Sequence, residues 1–300
     1  MKHLLKMMDL SGQDIERILN LADALKLEQR QGVMRHPLKG KTLAMIFEKN
    51  STRTRVSFEV GMYQLGGHAI FLSNADSQIG RGEPIQDTAR VLSRYCNGIM
   101  IRTYAQETVD QLAEWSSVPV INGLSDQSHP CQVLADLMTV RERFKKLSGL
   151  KLCYIGDGNN MANALIIGGL KCGMSVSVAC PEGYEPGAKS LEFALHAGGD
   201  FTLTADPKKA AEGADVVFTD VWASMGQEKE TAARKKAFAG FCVNSELMKV
   251  TNSAMVQHCL PAHHGEEITE EVFEAHATEI FDEAENRLHA QKAVMELLMA

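Results

Sequence analysis

Three short stretches of the chain concentrate side chains that bind anions or move protons. In Phe47-Glu48-Lys49-Asn50-Ser51-Thr52-Arg53-Thr54-Arg55, hydroxyls and two guanidinium groups, Arg53 and Arg55, stand where an apolar run gives way to a helical pattern. Ser51 or Thr52 can cap that helix, and the free N–H groups of its first turn beside the two cations suit a phosphate or carboxylate. His129-Pro130-Cys131-Gln132 puts an imidazole and an amide at a second helix start, with Pro130 in the favoured first helical position. These groups can bond a small carbonyl or amide. The third stretch, Val256 to Glu266, holds His258, Cys259, His263 and His264. Its spacings of one and four residues from Cys259 match no common structural zinc pattern, which favours a substrate-facing thiol at a strand's carboxyl end over a metal ligand.

Other groups sit singly at the ends of apolar runs. Arg102 follows Ile99-Met100-Ile101, a cation at a strand's carboxyl edge. Asp220 follows Val216-Val217-Phe218-Thr219, with the loop Ser224-Met225-Gly226 behind it, and an acid there suits a cationic ligand. Gln78 lies in the Gly/Pro-containing loop from Asp76 to Pro84. Gly156-Asp157-Gly158-Asn159-Asn160-Met161 resembles the start of a dinucleotide fingerprint, yet its third glycine would fall at Met161, and Cys180-Pro181 stands where a ribose-binding acid is expected. It is weak evidence for NAD; Asn159 and Asn160 instead offer amides to an amino acid's charged groups.

The elements that must position these groups follow from hydrophobic patterning. Apolar runs at Thr42–Phe47, Gly98–Ile101, Val118–Ile121, Leu152–Ile155, Ser175–Ala179, Val216–Thr219 and Met255–Gln257 alternate with helical patterns, which predicts parallel α/β sheets. Val133, Leu137, Val140 and Phe144 mark one long helix, and Ala284, Leu288, Gln291, Met295 and Leu298 another, each expected to bury one face. In such sheets ligands bind outside the carboxyl ends of strands, where the motifs lie. At 300 residues the chain suggests two domains of roughly 150 residues, with the best boundary at Lys145–Gly149.

Composition narrows the function classes. Hydrophobic residues make up 45% and charged residues 23%, ordinary for a folded globular protein. With 31 Lys and Arg against 38 Asp and Glu, the net charge of −7 argues against nucleic acid or an anionic membrane as partner. Seven scattered cysteines without a CxxC pair suggest free thiols in a reducing compartment. Lys2, Lys6 and Asp9 interrupt any leader-like apolar run, so a cytoplasmic location is expected.

Taken together, Ser-Thr-Arg-Thr-Arg at 51–55, His-Pro-Cys-Gln at 129–132, Asp-Val-Trp-Ala-Ser-Met-Gly at 220–226 and His-Cys-Leu-Pro at 258–261 closely resemble the transcarbamylase family, and within it the branch whose acceptor is ornithine. The resemblance spans the chain. It implies two α/β domains, each a parallel sheet flanked by helices, joined by helices near 130–146 and 285–299. Residues 1–145 and 285–300 would form a carbamoyl-phosphate-binding domain and 146–284 an ornithine-binding domain, with closure over the cleft between them excluding water.

By the same resemblance Ser51, Thr52, Arg53 and Thr54 hold the phosphate and Arg102 reaches phosphate and carbonyl oxygen. His129 contacts the carbonyl, and Gln132 and the Leu260 backbone hold the carbamoyl amide. Arg287, in Glu285-Asn286-Arg287 at the start of the last helix, completes the pocket. Gln78 comes from a neighbouring subunit of a homotrimer. Asn160, Asp220, Ser224 and Met225 bind L-ornithine, and Cys259 lies where the two substrates meet. Arg102, His129, Asp220 and Cys259 are the expected catalytic set. The implied reaction turns L-ornithine and carbamoyl phosphate into L-citrulline and phosphate, within arginine metabolism, without metal or organic cofactor. Two alternatives stay open: a transcarbamylase for putrescine, an acylated ornithine or aspartate, and a nucleotide-binding, dehydrogenase-like protein.

Overall fold

The computed structural model describes residues 1–73, 82–224 and 226–300. It divides into two compact units, Met1–Ala135 with Arg287–Ala300 and Asp136–Asn286. Both boundaries fall within long helices, Pro130–Phe144 and Ala277–Met299. Among the described residues no helix is long and apolar enough to cross a membrane.

In the first unit the strands are β1 (Thr42–Phe47), β2 (His68–Ser73), β3 (Gly98–Arg102) and β4 (Val120–Leu124). They form a parallel sheet in the order β2-β1-β3-β4. β3 is buried along its whole length, as a central strand of a parallel sheet covered on both faces must be. The register pairs Phe47 with Arg102, so the carboxyl ends of β1 and β3 are level and the chain leaves both at one edge. The core joins Ala44, Ile46, Ile99, Ile101 and Val120 of the sheet to Val109 and Leu112 of the helix Gln106–Trp115.

The second unit contains β5 (Lys151–Ile155), β6 (Ser175–Ala179), β7 (Phe201–Thr204), β8 (Val216–Thr219) and β9 (Met255–His258). These are again parallel, in the order β7-β6-β5-β8-β9. Cys153, Ile155, Val217 and Val256 pack with Trp222, Phe238 and Phe273. The strand order places the ends of β5, β8 and β9 side by side. Asp157, Asp220 and Cys259 emerge from these three neighbours.

Three expectations need correction. β2 and β7 were absent from the apolar-run reading; both are edge strands in which every residue is half-buried or exposed. β4 runs to Leu124 rather than ending at Ile121, since it carries the fully buried Asn122, whose amide donates to the Leu5 carbonyl at 2.8 Å. The last helix begins at Ala277, so Arg287 lies in its interior, and residues 289–295 are buried on every side rather than along one face. In the helix Thr52–Gln64, Val56 and Val60 are 50% and 36% exposed, and the buried side is Phe58, Gly61 and Met62. The last helix packs close to Gly61, where a Cβ would stand 2.8 Å from the terminal methyl of Met295.

Candidate active site

In the first unit the anion-binding character of the sequence becomes a definite geometry. Ser51 caps the helix Thr52–Gln64, accepting the Thr54 backbone N–H at 3.2 Å, so the helix presents its first free N–H groups beside Arg53. The Thr54 hydroxyl is the meeting point. Arg287 Nη2 donates to Oγ1 at 2.9 Å and Arg102 Nη1 approaches the same oxygen at 3.5 Å. Thr54, Arg102, His129 and Arg287 are only 0%, 8%, 4% and 4% exposed. Two guanidinium groups thus lie buried next to the positive end of a helix, an arrangement that favours an anion.

Arg55 does not join them. Its Nε donates to Glu59 Oε1 at 2.9 Å and its guanidinium lies 3.9 Å from the Phe71 ring centroid, on the exposed side. The pair Arg53 and Arg55 read from the spacing is therefore split, because residues two apart on a helix face different directions. The further cations are supplied by a strand end and by the last helix.

His129 precedes the helix Pro130–Phe144, and its carbonyl accepts the Gln132 and Val133 backbone N–H groups at 3.2 Å. Burial holds its imidazole well below the ordinary value of 6.5, reinforced by Arg287 and Arg102, so the ring is neutral at physiological pH. Its Nδ1 is buried and has no hydrogen-bond partner among the described residues. Gln132 is fully buried one helical turn on. Lys49 is a neighbour the sequence reading passed over: it pairs with Asp126 and its ammonium stands 4.2 Å from the Tyr104 ring centroid.

In the second unit Asp220, at the end of β8, is the hub. Its Oδ2 accepts from Asn159 Nδ2 at 2.9 Å, and Oδ1 accepts the Cys259 thiol at 3.0 Å and its neighbour Val221 N at 2.9 Å. Asn159 in turn caps the helix Asn160–Lys171 through bonds from Met161 N and Ala162 N. Burial and the adjacent Asp220 push the Cys259 thiol well above its ordinary 9.0, so it stays a protonated donor. Asn160 opens the helix, half-buried, and Ser224 is half-buried with its N–H on Gln227 Oε1 at 2.9 Å. Leu260 follows Cys259 with φ +58. Gln78 and Met225 lie outside the described residues.

Residues that no local signal marked complete this half. Arg234, in the helix Thr231–Ala237, is buried and donates from Nη1 to both Asp157 Oδ2 and the Trp222 carbonyl at 2.9 Å, tying the loop after β5 to the loop after β8. Its Nε meets Glu230 Oε2 at 2.9 Å. Asp157 is held at about 6, raised chiefly by burial against the opposing pull of Arg234.

The dinucleotide reading fails on packing. Gly158 is required because a Cβ there would meet backbone atoms of Tyr184, Glu185 and Pro186 at 2.3–2.5 Å, and its N–H bonds the Tyr184 carbonyl at 2.9 Å. The chain's own backbone fills the approach that a pyrophosphate needs. As for metal, Asp220, His258 and Cys259 place ligand atoms within 4.8 Å of one another. However, His258 Nδ1 already accepts the Leu260 N–H and Nε2 bonds Glu267, so an ion would have to break one of those contacts. His264 packs at a tilt against Phe273, with ring centroids 4.6 Å apart and the planes at 45°.

The comparisons with known proteins agree along the full length. Residues 2–142 match the family model "Aspartate/ornithine carbamoyltransferase, carbamoyl-P binding domain" and residues 148–298 match "Aspartate/ornithine carbamoyltransferase, Asp/Orn binding domain". A relative named ornithine carbamoyltransferase from Pelobacter propionicus is 57% identical, the alignment covering 99% of this chain and 98% of the relative. The solved ornithine carbamoyltransferase of Pyrococcus furiosus is 52% identical with a TM-score of 0.95, over 99% of this chain and 97% of that one. The anabolic ornithine carbamoyltransferase of Campylobacter jejuni is 43% identical with a TM-score of 0.94, over 99% of both chains. With both halves matched in order, and a carboxylate, a thiol and a buried guanidinium group at the ends of their parallel strands, the chain belongs to the aspartate/ornithine carbamoyltransferase family.

Proposed function

We propose that this protein transfers the carbamoyl group of carbamoyl phosphate to the δ-amine of L-ornithine, giving L-citrulline and phosphate. The observation that carries the first half of this reading is the convergence of buried Arg102 and Arg287 on Thr54 Oγ1 beside a capped helix start and a neutral His129. Ser51, Thr52, Arg53, Thr54 and Arg102 bind the phosphate. Arg102 and His129 stabilise the oxyanion that forms as the amine attacks the carbonyl, and a neutral imidazole donates to that oxygen without adding charge. Gln132 and the Leu260 backbone hold the carbamoyl amide, with Arg287 closing the anion pocket. Residues 1–145 with 285–300 are the carbamoyl-phosphate-binding domain, and 146–284 the ornithine-binding domain.

Carbamoyl phosphate carries a good leaving group, so no covalent nucleophile is needed. The acceptor amine resembles a lysine's, with an ordinary pKa near 10.4, leaving roughly one molecule in a thousand neutral at pH 7.5. Asp220 and Cys259 orient the amine, Asn160, Ser224 and Met225 hold the rest of L-ornithine, and the departing phosphate takes the amine proton. The reaction uses neither metal nor organic cofactor. We further propose a cytoplasmic homotrimer, with Gln78 supplied by the neighbouring subunit. A citrulline assay across ornithine, putrescine, N-acetylornithine and aspartate tests the reading: turnover with ornithine far above the other three supports it, and a preference for another acceptor overturns it.

A further inference from the structure

His258 closes β9 with its ring fully buried and both nitrogens engaged. The Leu260 N–H donates to Nδ1 at 2.9 Å, so Nδ1 carries a lone pair and the ring's proton is on Nε2. Nε2 lies 3.0 Å from Glu267 Oε1, and the same oxygen accepts the His263 backbone N–H at 2.6 Å. Glu267 is 0% exposed, and its own carbonyl is tied by the Val243 N–H at 2.8 Å. A carboxylate so deeply buried is costly unless donors hold it, and no step of the proposed reaction uses it.

The contact has a directional consequence. Imidazole has two neutral tautomers, and the one with its proton on Nδ1 would set that N–H against the Leu260 N–H, as would imidazolium. A carboxylate on Nε2 selects the other form. The peptide it then captures needs capturing, since Leu260 sits at φ +58, a left-handed conformation unfavourable for a residue with a Cβ. Cys259 is one residue before it, and the Leu260 backbone is the group assigned to the carbamoyl amide.

We infer that Glu267 is a positioning residue: through the Nε2–H tautomer of His258 it fixes the Leu260 peptide, and with it the Cys259–Leu260 strand end that the substrates meet. This rests on the carbamoyl-transfer reading given above.

The test is a double-mutant cycle on citrulline formation at saturating substrates, with Tm recorded for every variant. Glu267→Leu should lower kcat by at least about tenfold, while Glu267→Gln, whose side-chain oxygen can accept both bonds, should stay within about threefold of wild type. In a His258→Asn background the Asn oxygen can take the Leu260 N–H with no tautomer to choose. There Glu267→Leu should change kcat by less than about threefold. Equal losses in the two backgrounds would make Glu267 merely structural and overturn the inference. Should Glu267→Leu not fold, His258→Lys decides: its ammonium can still donate to Glu267 but has no lone pair with which to accept from Leu260. A wild-type kcat in that variant overturns the inference, and a loss of about tenfold or more with Tm retained supports it.

A readout free of turnover separates the two claims. In protein labelled with 15N-histidine, the His258 resonances, identified by their loss in His258→Asn, should report the Nε2–H tautomer. An Nδ1–H tautomer or imidazolium overturns the positioning role. Absence of citrulline from the wild type overturns the transfer reading instead.

Discussion

The hydroxyl of Thr54 is the shared acceptor of two buried guanidinium groups, and its removal asks whether they are held in place for a ligand. Thr54→Val keeps the shape and deletes the acceptor. Leaving charged donors without it costs about 1–3 kcal/mol, so KM for carbamoyl phosphate should rise roughly tenfold or more with kcat for ornithine less affected. Steady-state kinetics with each substrate varied in turn checks this, and an unchanged KM would remove Thr54 from the anion site. Asp220 offers the complementary case. Its two oxygens accept from Asn159, Val221 and Cys259, so the amide of Asp220→Asn must turn one donor toward another. Citrulline formation should fall by over about a hundredfold, while calorimetric titration shows carbamoyl phosphate binding within about threefold of wild type. Equal losses in binding and turnover would give Asp220 a structural role.

At the scale of elements, the second unit is organised by strand ends cross-linked through side chains. Arg234 joins the loop after β5 to the loop after β8, and Asp157 is its buried partner, 7% exposed. Asp157 is raised from an ordinary 3.8 to about 6, so the folded protein binds its proton more tightly than the unfolded chain does. The sign follows from linkage. This group's contribution to stability is fully present below about pH 4 and is lost as pH rises through about 6. Relative to Asp157→Asn, wild type should therefore gain on the order of 1–2 kcal/mol between pH 8 and pH 5. Urea unfolding checks it: the protein's two tryptophans are Trp115 and Trp222, so a Trp115→Phe background leaves Trp222 to report on the second unit. A difference independent of pH would mean that Arg234 holds Asp157 ionised throughout.

At the scale of the whole molecule, the proposed trimer makes a quantitative prediction. Arg53→Ala and Gln78→Ala should each be strongly impaired, because every site in either homotrimer carries the defect. If Gln78 serves a neighbour's site, unfolding the two variants together and reassembling them at equal ratio makes about one site in four whole for random cyclic assembly. Activity should recover to roughly a quarter of wild type. No recovery from a mixture shown to contain hybrid trimers would put both residues in the same chain's site.

What the sequence determined by itself is what short-range physics determines. Hydrophobic alternation announced the parallel sheets, and capping chemistry announced the helix starts at Ser51 and Pro130, because both depend on residues within a turn or a strand of one another. Strand-end position drew Arg102 and Asp220, and resemblance to a family added Arg287. The edge strand β7, Phe-Thr-Leu-Thr, stayed illegible because its threonines break any apolar run, whereas β2 carries the run Ala69–Leu72 and was legible but passed over. Tertiary structure decided the rest. Thr54 meets Arg102 and Arg287 across 48 and 233 residues of chain, Asn159 meets Asp220 across 61, and Arg234 meets Asp157 across 77. Such pairings follow from strand order and helix packing, in which no residue's neighbours along the chain take part. For the same reason local reading chose Arg55, which faces away, and passed over Arg234 and Glu267, whose partners are supplied only by the folded sheet.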